Sequence, residues 1–536
     1  VPAGIDRFEA ALVARHFSGP LAPAGVDVSK IIALGAEDYA GGDPAVFNMA
    51  VMGLRLAGRA NAVSVLHGRV SRAMFAGLWP GFDHSEIPIG SVTNGVHSPT
   101  WLDRTYGELE SLRISEGPEA QGSEGWLRSE VVSDQVLWDL RRQSRARLVE
   151  DARRRLRASY LARGSSPAEL GWIDSVLSPD TLTIGFARRV PTYKRLTLML
   201  RDPERLRALL TDADHPVQLV VAGKSHPADE QGKSLIQELV RFSDDPEVRG
   251  KIVFLPNYDM DMAETLFPGC DVWLNNPLRP LEACGTSGMK AALNGALNLS
   301  ILDGWWDEWF DGQNGWAIPT ADGVTDPDRR DELEAQALYD LIQLQIAPRF
   351  YTRDSRGLPV TWLEMVRHTL ATLAPKVQAT RMVAEYVQRL YAPAAELGRR
   401  LAADDLAAAR QLAAWKAKVR ASWPEVRVDH VESGGVGDVA HVGDQVTVTA
   451  YVSLGALAPE DVDVQVVYGR ATEGDDLADG YRLGSLTAQA THDAARSAFV
   501  GDIQLGRSGP FGYTVRIVPR HPLLVSSADL GLIASA

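Results

Sequence analysis

Two cysteines in 536 residues, Cys270 and Cys284, are too sparse for a disulfide framework or a zinc site. Both read as small core residues, as suits a reducing cytosol. No apolar run approaches the roughly 20 residues that a membrane-spanning helix needs, and no basic start followed by an apolar segment marks a signal peptide. Positive charge is in deficit: 55 Lys and Arg stand against 69 Asp and Glu, for a net charge of −14, and no Lys/Arg-rich run stands out. That excludes a protein built to grip nucleic acid by charge. Internal repeats and low-complexity tracts are also missing. The chain has no initiator methionine and passes from VPAGIDRFEA straight into globular sequence, as expected of a processed product or a fragment.

What is present is length enough for roughly three or four domains. Phe47 to Phe75 has apolar positions at three- and four-residue spacing on either side of a break near Asn61, which predicts two helices. Arg113 to Gly125, rich in Gly, Ser and Glu, reads as a linker, and a long charged helix is expected from about Val131 to Ala162. From Thr181 onward, TLTIGFARRV, VQLVVAG, KIVFLPNY, DVWLNNP and ALNLSIL are nearly continuous apolar runs separated mostly by helical stretches. Strands buried on both faces have this pattern, so the expectation is a parallel sheet of βα units, with ligands just beyond the carboxyl ends of the strands. More helices follow Pro319, including Arg381 to Trp423. From Val426 to about Val525 the alternation turns β-like between Gly- and Asp-rich turns, which predicts a β-sandwich.

Chemistry-bearing residues crowd the segments after these strands. GFARRVPTYKR carries Arg188, Arg189, Lys194 and Arg195 beside Tyr193; VAGKSHP carries Lys224 and His226; FLPNYD carries Asn257 and Tyr258. RPLEACGTSGMKAALNG carries Glu282, the loop Gly285, Thr286, Ser287 and Gly288, and Lys290. Cations beside a Gly-rich helix start make an anion site, because N–H groups and positive charge together replace the water around a phosphate. AGKS resembles the tail of a phosphate-binding P-loop, but Gln218 stands where that motif has its first glycine. His67 and His97 read equally as structural histidines, and DGWWDEWFDG (Asp303 to Gly312) as either a carboxylate pair for glycoside chemistry or a partly buried loop. Lys290 is placed by the pattern at the start of a helix, where the dipole disfavours a cation. There the positive helix end and the neighbouring cations would lower its pKa and favour the uncharged amine that captures an aldehyde.

EACGTSGMKAALNGALNLSILDG resembles the pyridoxal-phosphate segment of the α-glucan phosphorylases, and GFARRVPTYKR resembles their phosphate-binding segment. FLPNY, SVLHGRVSRAMF, TNGVHSPTWL and RMVAEYVQRLY resemble further blocks in the same order, so the likeness runs from about Val1 to Pro393. The appended β domain is similar to that of the bacterial glycogen or maltodextrin branch. The resemblance implies an α/β fold of glycosyltransferase GT-B type. Residues 1–112 would be the last part of a first Rossmann-like domain, 113–400 a second one, 401–425 a helical connector and 426–536 the β-sandwich. It implies a cytoplasmic enzyme, with a homodimer left open, that releases α-D-glucose 1-phosphate from α-1,4-glucan with inorganic phosphate. Lys290 would carry pyridoxal 5'-phosphate, with Gly285, Thr286, Ser287, Gly288, Tyr258 and Arg188 around it. Arg189 and Lys194 would hold the substrate phosphate, and Glu282 and His67 the hydroxyls of the transferred glucose. No metal, nucleic acid or membrane enters this scheme.

Two departures bear on it. The long stretch that precedes VPAGIDRF in the family is absent here, and Gly288 stands where the family usually has Asn, which is expected to loosen the loop. The alternatives are a nucleotide-sugar-dependent glycosyltransferase like glycogen synthase, which typically has a second glutamate where this chain has Lys290, and a non-catalytic glucan-binding fragment.

Overall fold

The five apolar runs after Thr181 become strands of a single sheet in the computed structural model, and a sixth joins them. The structure describes residues 4–21, 25–107, 132–189, 192–435, 441–474, 476–478, 480–489 and 496–536, with the backbone alone at 21, 106, 107, 189 and 192. The expected linker from Arg113 to Gly125 lies outside the described residues.

The strands are β1 (Leu182–Arg189), β2 (Val217–Lys224), β3 (Ile252–Pro256), β4 (Val272–Asn275), β5 (Leu297–Ile301) and β6 (Gly315–Ile318). They lie in the order β6-β5-β4-β1-β2-β3, all parallel. Read from the other edge this is 3-2-1-4-5-6, the order of a doubly wound sheet, whose strand sequence reverses between β1 and β4. Successive side chains alternate between two cores. Leu219, Val221, Ile252, Leu274, Leu297 and Leu299 enter one, and Val220, Ala222, Val253, Leu255 and Trp273 the other. Covering on both faces is why these strands read as unbroken apolar runs. The sequence reading missed β6, because Gly-Trp-Ala-Ile opens on a glycine after the polar stretch Asp311–Asn314; its pairing with β5 supplies the regularity that the run lacks.

The long charged helix, α1, runs from Asp134 to Ala162 and is capped by the Ser133 hydroxyl, which accepts from Val136 N. Two of its arginines are fully buried. Arg141 donates to Pro268 O and Asn294 O at 2.7 Å each, and Arg145 donates to Pro179 O at 2.8 Å and pairs with the buried Asp271. Arg141 thus satisfies carbonyls near the ends of α2 (Met260–Gly269) and α3 (Thr286–Leu293), groups that no helix can satisfy itself.

By internal contacts the described chain forms two compact units. One holds Ala62–Gly68 and Ser91–Val387, and the other the described residues up to Asn61 together with Arg69–Gly90 and Gln388–Ala536. In the second unit the strands between Arg427 and Pro519, with Ala534–Ser535, form two four-stranded antiparallel sheets facing one core of Val448, Val464, Val515 and Ile517. The Arg516 side chain, 7% exposed, pairs there with Glu86 and donates to Gln465 Oε1 at 2.9 Å. The expected helical stretch from Arg381 to Trp423 is interrupted at Ala403–Leu406, where Asp404, Asp405 and Leu406 take left-handed φ values.

Candidate active site

The reversal of strand order brings together two segments far apart in sequence. β1 ends at Arg188 and Arg189 and leads into the turn Thr192–Lys194; β4 ends at Asn275 and leads through Glu282 into α3. Arg188 Nη1 donates to Glu282 Oε2 at 3.0 Å, and Lys194 Nζ lies 3.3 Å from the same oxygen. Both partners of the first pair are buried. The Arg188 Nε and Nη2 groups are also buried, and neither has a hydrogen-bond partner among the described residues. Burial lowers the pKa of this guanidinium, against the pull of Glu282. Unanswered donors on a buried cation are costly, and an anion bound beside them removes the cost.

Neighbouring Arg195 has a different task. It donates to Asn276 O at 2.9 Å and Pro277 O at 2.8 Å and pairs with Asp331 and Glu334, so it fastens the loop after β4.

Lys290 is not at the helix start, as the pattern suggested. Gly285, at φ +81°, caps α3 in the left-handed conformation, so the helix begins at Thr286 and Lys290 falls in its last turn. Its Nζ lies 3.4 Å from the ring centroid of Trp101 and 5.4 Å from that of Phe267, with no hydrogen-bond or ion-pair partner among the described residues. The pKa is lowered to about 8, and the cause is burial against these rings rather than the positive helix end or nearby cations.

Gly288, expected to loosen its loop, is buried and tightly packed. A Cβ there would stand 2.4 Å from Asn298 Oδ1 and 3.1 Å from the Trp305 ring, while Asn298 Nδ2 donates to Gly288 O at 3.2 Å. Gly288→Ala is therefore expected to destabilise the fold by about 1–3 kcal/mol, and Asn298→Ala in the same chain to recover part of that loss. Chemical denaturation of the two single variants and the double variant measures the coupling; strict additivity contradicts the clash.

The remaining expected residues divide. Tyr258 follows Asn257, whose left-handed φ of 62° turns the chain out of β3. Burial raises its phenol pKa to about 12, opposed by the field of Arg188; Tyr193, near Glu282 and Arg188, is also raised to about 12, chiefly by burial. The Thr286 and Ser287 hydroxyls make no hydrogen bond among the described residues. His67 accepts from Val63 N at its Nδ1, 3.3 Å away, and burial lowers its pKa. The Arg189 backbone ends β1, and its side chain lies outside the described part.

Sequence reasoning missed Ser64, whose hydroxyl donates to Ala283 O at 2.7 Å and accepts from His67 N at 3.1 Å, and so ties the His67 segment to the Glu282 loop. It also missed the position of Asp303. That carboxylate is buried and accepts from Glu282 N at 3.0 Å. Only the density of acids and tryptophans in DGWWDEWFDG signalled it.

Fold and site together describe a doubly wound α/β protein in which a buried arginine with unanswered donors and a lysine over aromatic rings lie at the end of β1 and after β4. The chain belongs to the carbohydrate phosphorylase family: residues 41–308 match that family, and residues 423–536 match the glycogen phosphorylase C-terminal domain. A glycogen phosphorylase of Mycobacterium tuberculosis (strain ATCC 25618 / H37Rv) is 56% identical over 549 residues, covering 100% of this chain and 62% of its own length. A maltodextrin phosphorylase of Thermococcus litoralis is 36% identical over 99% of this chain and 61% of its own length. A glycogen phosphorylase of Aquifex aeolicus is 42% identical over 68% of this chain and 52% of its own. The chain thus spans about three fifths of the length of the relatives that match all of it. Among the described residues no helix is long and apolar enough to cross a membrane.

Proposed function

We propose that this chain forms the cofactor- and phosphate-binding part of an α-glucan phosphorylase that releases α-D-glucose 1-phosphate from terminal α-1,4-linked glucose. The carrying observation is Arg188, a buried guanidinium with two unanswered donor nitrogens, Nε and Nη2, beside Glu282 and Lys194. In this reading the parallel sheet belongs to the second of two Rossmann-like domains of GT-B type, and the compartment is the cytoplasm.

The residues present fit pyridoxal 5'-phosphate. Lys290 offers an amine that burial inclines to the uncharged state, and Tyr258, within the field of Arg188, offers an aromatic ring. Arg188 and the uncapped first turn of α3, at Thr286 and Ser287, offer donors for a phosphate group. When bound, the cofactor supplies a phosphate group able to exchange a proton with the substrate phosphate.

The chain's own residues account for the rest. Lys194, partly exposed, and Arg189 hold inorganic phosphate; Glu282 and His67 hold hydroxyls of the terminal glucose. His67 accepts at Nδ1, so its neutral ring carries the proton on Nε2 and presents a donor there. In the reaction the glycosidic C1–O bond breaks, and the departing 4-oxygen takes a proton from the phosphate. A phosphate oxygen then bonds to C1 with retention. Fixed cations offset the repulsion between two phosphates at one site.

The test is phosphate-dependent release of glucose 1-phosphate from maltodextrin by the full-length enzyme, with borohydride reduction and peptide mapping for the cofactor. Release that ceases without phosphate, with a pyridoxyl group on Lys290, is the expected result. A pyridoxyl group on another lysine contradicts the assignment.

A further inference from the structure

We infer that Asp303 is a positioning residue for Glu282, holding the backbone from which the Glu282 carboxylate reaches Arg188 and Lys194. The inference rests on the reading of Glu282 as the group that binds the transferred glucose.

The turn after β5 grips the loop before α3 at three nearly consecutive residues. Asp303 Oδ2 accepts from Glu282 N at 3.0 Å, Trp305 N donates to Cys284 O at 3.1 Å, and Trp305 Nε1 donates to Gly285 O at 2.9 Å. The approach is close enough to demand glycine between them. Gly304 has φ +56°, and a Cβ there would lie 2.3 Å from Cys284 O. The second oxygen, Asp303 Oδ1, accepts from Gly304 N at 2.8 Å, so one carboxyl group orients both the turn and the loop.

A carboxyl group is a demanding choice for this place. Asp303 is 1% exposed, and burial far from water disfavours its charge. Burial raises its pKa to about 7, with the charge of Glu282 adding to the rise, while the two N–H donors and Arg279 pull the other way and favour the anion. Asparagine would fill the same space without that cost, but its amide nitrogen cannot accept, so one of the two N–H groups would go unanswered. The anion is the form that serves both donors. The Glu282 side chain in turn meets Arg188 and Lys194 within 3.3 Å. Such geometry is sensitive to small displacement of its backbone, since misplacement by about 1 Å can cost about 100-fold in rate.

Asp303→Asn in the full-length enzyme is the test. The expected result is a kcat lowered about 10- to 100-fold and affinity for glucose 1-phosphate lowered about 10-fold. Affinity for inorganic phosphate should fall less than that for glucose 1-phosphate, the pyridoxyl group on Lys290 should remain, and the melting temperature should fall by only a few degrees, since the cost of the unanswered N–H is offset by removal of the buried charge. Trp305→Phe, which keeps an aromatic ring but loses the donor to Gly285 O, should lower kcat in the same sense, and it carries the test should the first variant fail to fold. A wild-type rate in Asp303→Asn, or in Trp305→Phe if that variant alone folds, overturns the proposal. So do equal losses for glucose 1-phosphate and phosphate. Wild-type enzyme that releases no glucose 1-phosphate overturns the reading beneath it, and that failure is seen before any variant is compared.

Discussion

Replacing Lys290 with alanine is expected to leave a folded protein that binds no pyridoxal group covalently and releases glucose 1-phosphate at least about 1,000-fold more slowly. The physical reason is the aromatic slot formed by Trp101 and Phe267, which burial makes unfavourable for an ammonium ion. With its pKa lowered to about 8, roughly a tenth of the amine is uncharged at pH 7, against about one part in 3,000 for an ordinary lysine. Capture of pyridoxal phosphate by cofactor-free enzyme should therefore quicken as pH rises through about 8 and level off above it. An apparent pKa near that of free lysine would contradict this account of the slot. The sign for stability follows from the same shift. The folded pKa is lowered, so between about pH 8 and the unfolded value the unfolded chain binds more protons. Cofactor-free protein should gain stability across that window, and Lys290→Ala should lose the gain.

The second large effect is expected at Glu282. Glu282→Ala removes the carboxylate bonded to Arg188 and leaves the buried guanidinium without a hydrogen-bond partner among the described residues. Breaking a buried pair on one side costs about 3–5 kcal/mol, so the variant should unfold at clearly lower denaturant and lose glucose 1-phosphate release by about 100-fold or more. Replacing both partners, as Arg188→Met with Glu282→Leu, should restore much of the stability and none of the activity, because no buried charge remains. Recovery of activity in the double variant would show that neither side chain serves the reaction. A double variant as unstable as Glu282→Ala would show that the loss came from packing rather than from charge.

The fold was legible in proportion to how local its signals are. Five of the six parallel strands announced themselves as apolar runs, and β6 did not, because Gly-Trp-Ala-Ile opens on a glycine after the polar stretch Asp311–Asn314 and is defined by its pairing with β5 rather than by its own composition. The α1 helix was legible, whereas the burial of Arg141 and Arg145 was not. Charge pattern predicts solvent exposure, and only the carbonyls and the Asp271 carboxylate around them reverse that expectation. Gly288 was misread as loose for a related reason: its tightness comes from Asn298, a residue on β5.

What the sequence determined by itself is the inventory: a run of buried strands, cations after β1, and a glycine-rich loop leading into a helix that carries Lys290. These follow from side-chain type and spacing along neighbouring residues. What only the tertiary structure decided is which of those groups meet, and in what surroundings. Arg188 and Glu282 lie 94 residues apart and touch because the strand order reverses between β1 and β4, and Lys290 is pushed toward its uncharged form by burial beside Trp101 and Phe267, which come from two other segments. Burial and Coulomb energy depend on distances through space, and those distances are set by strand order and packing, which no local stretch of chain encodes.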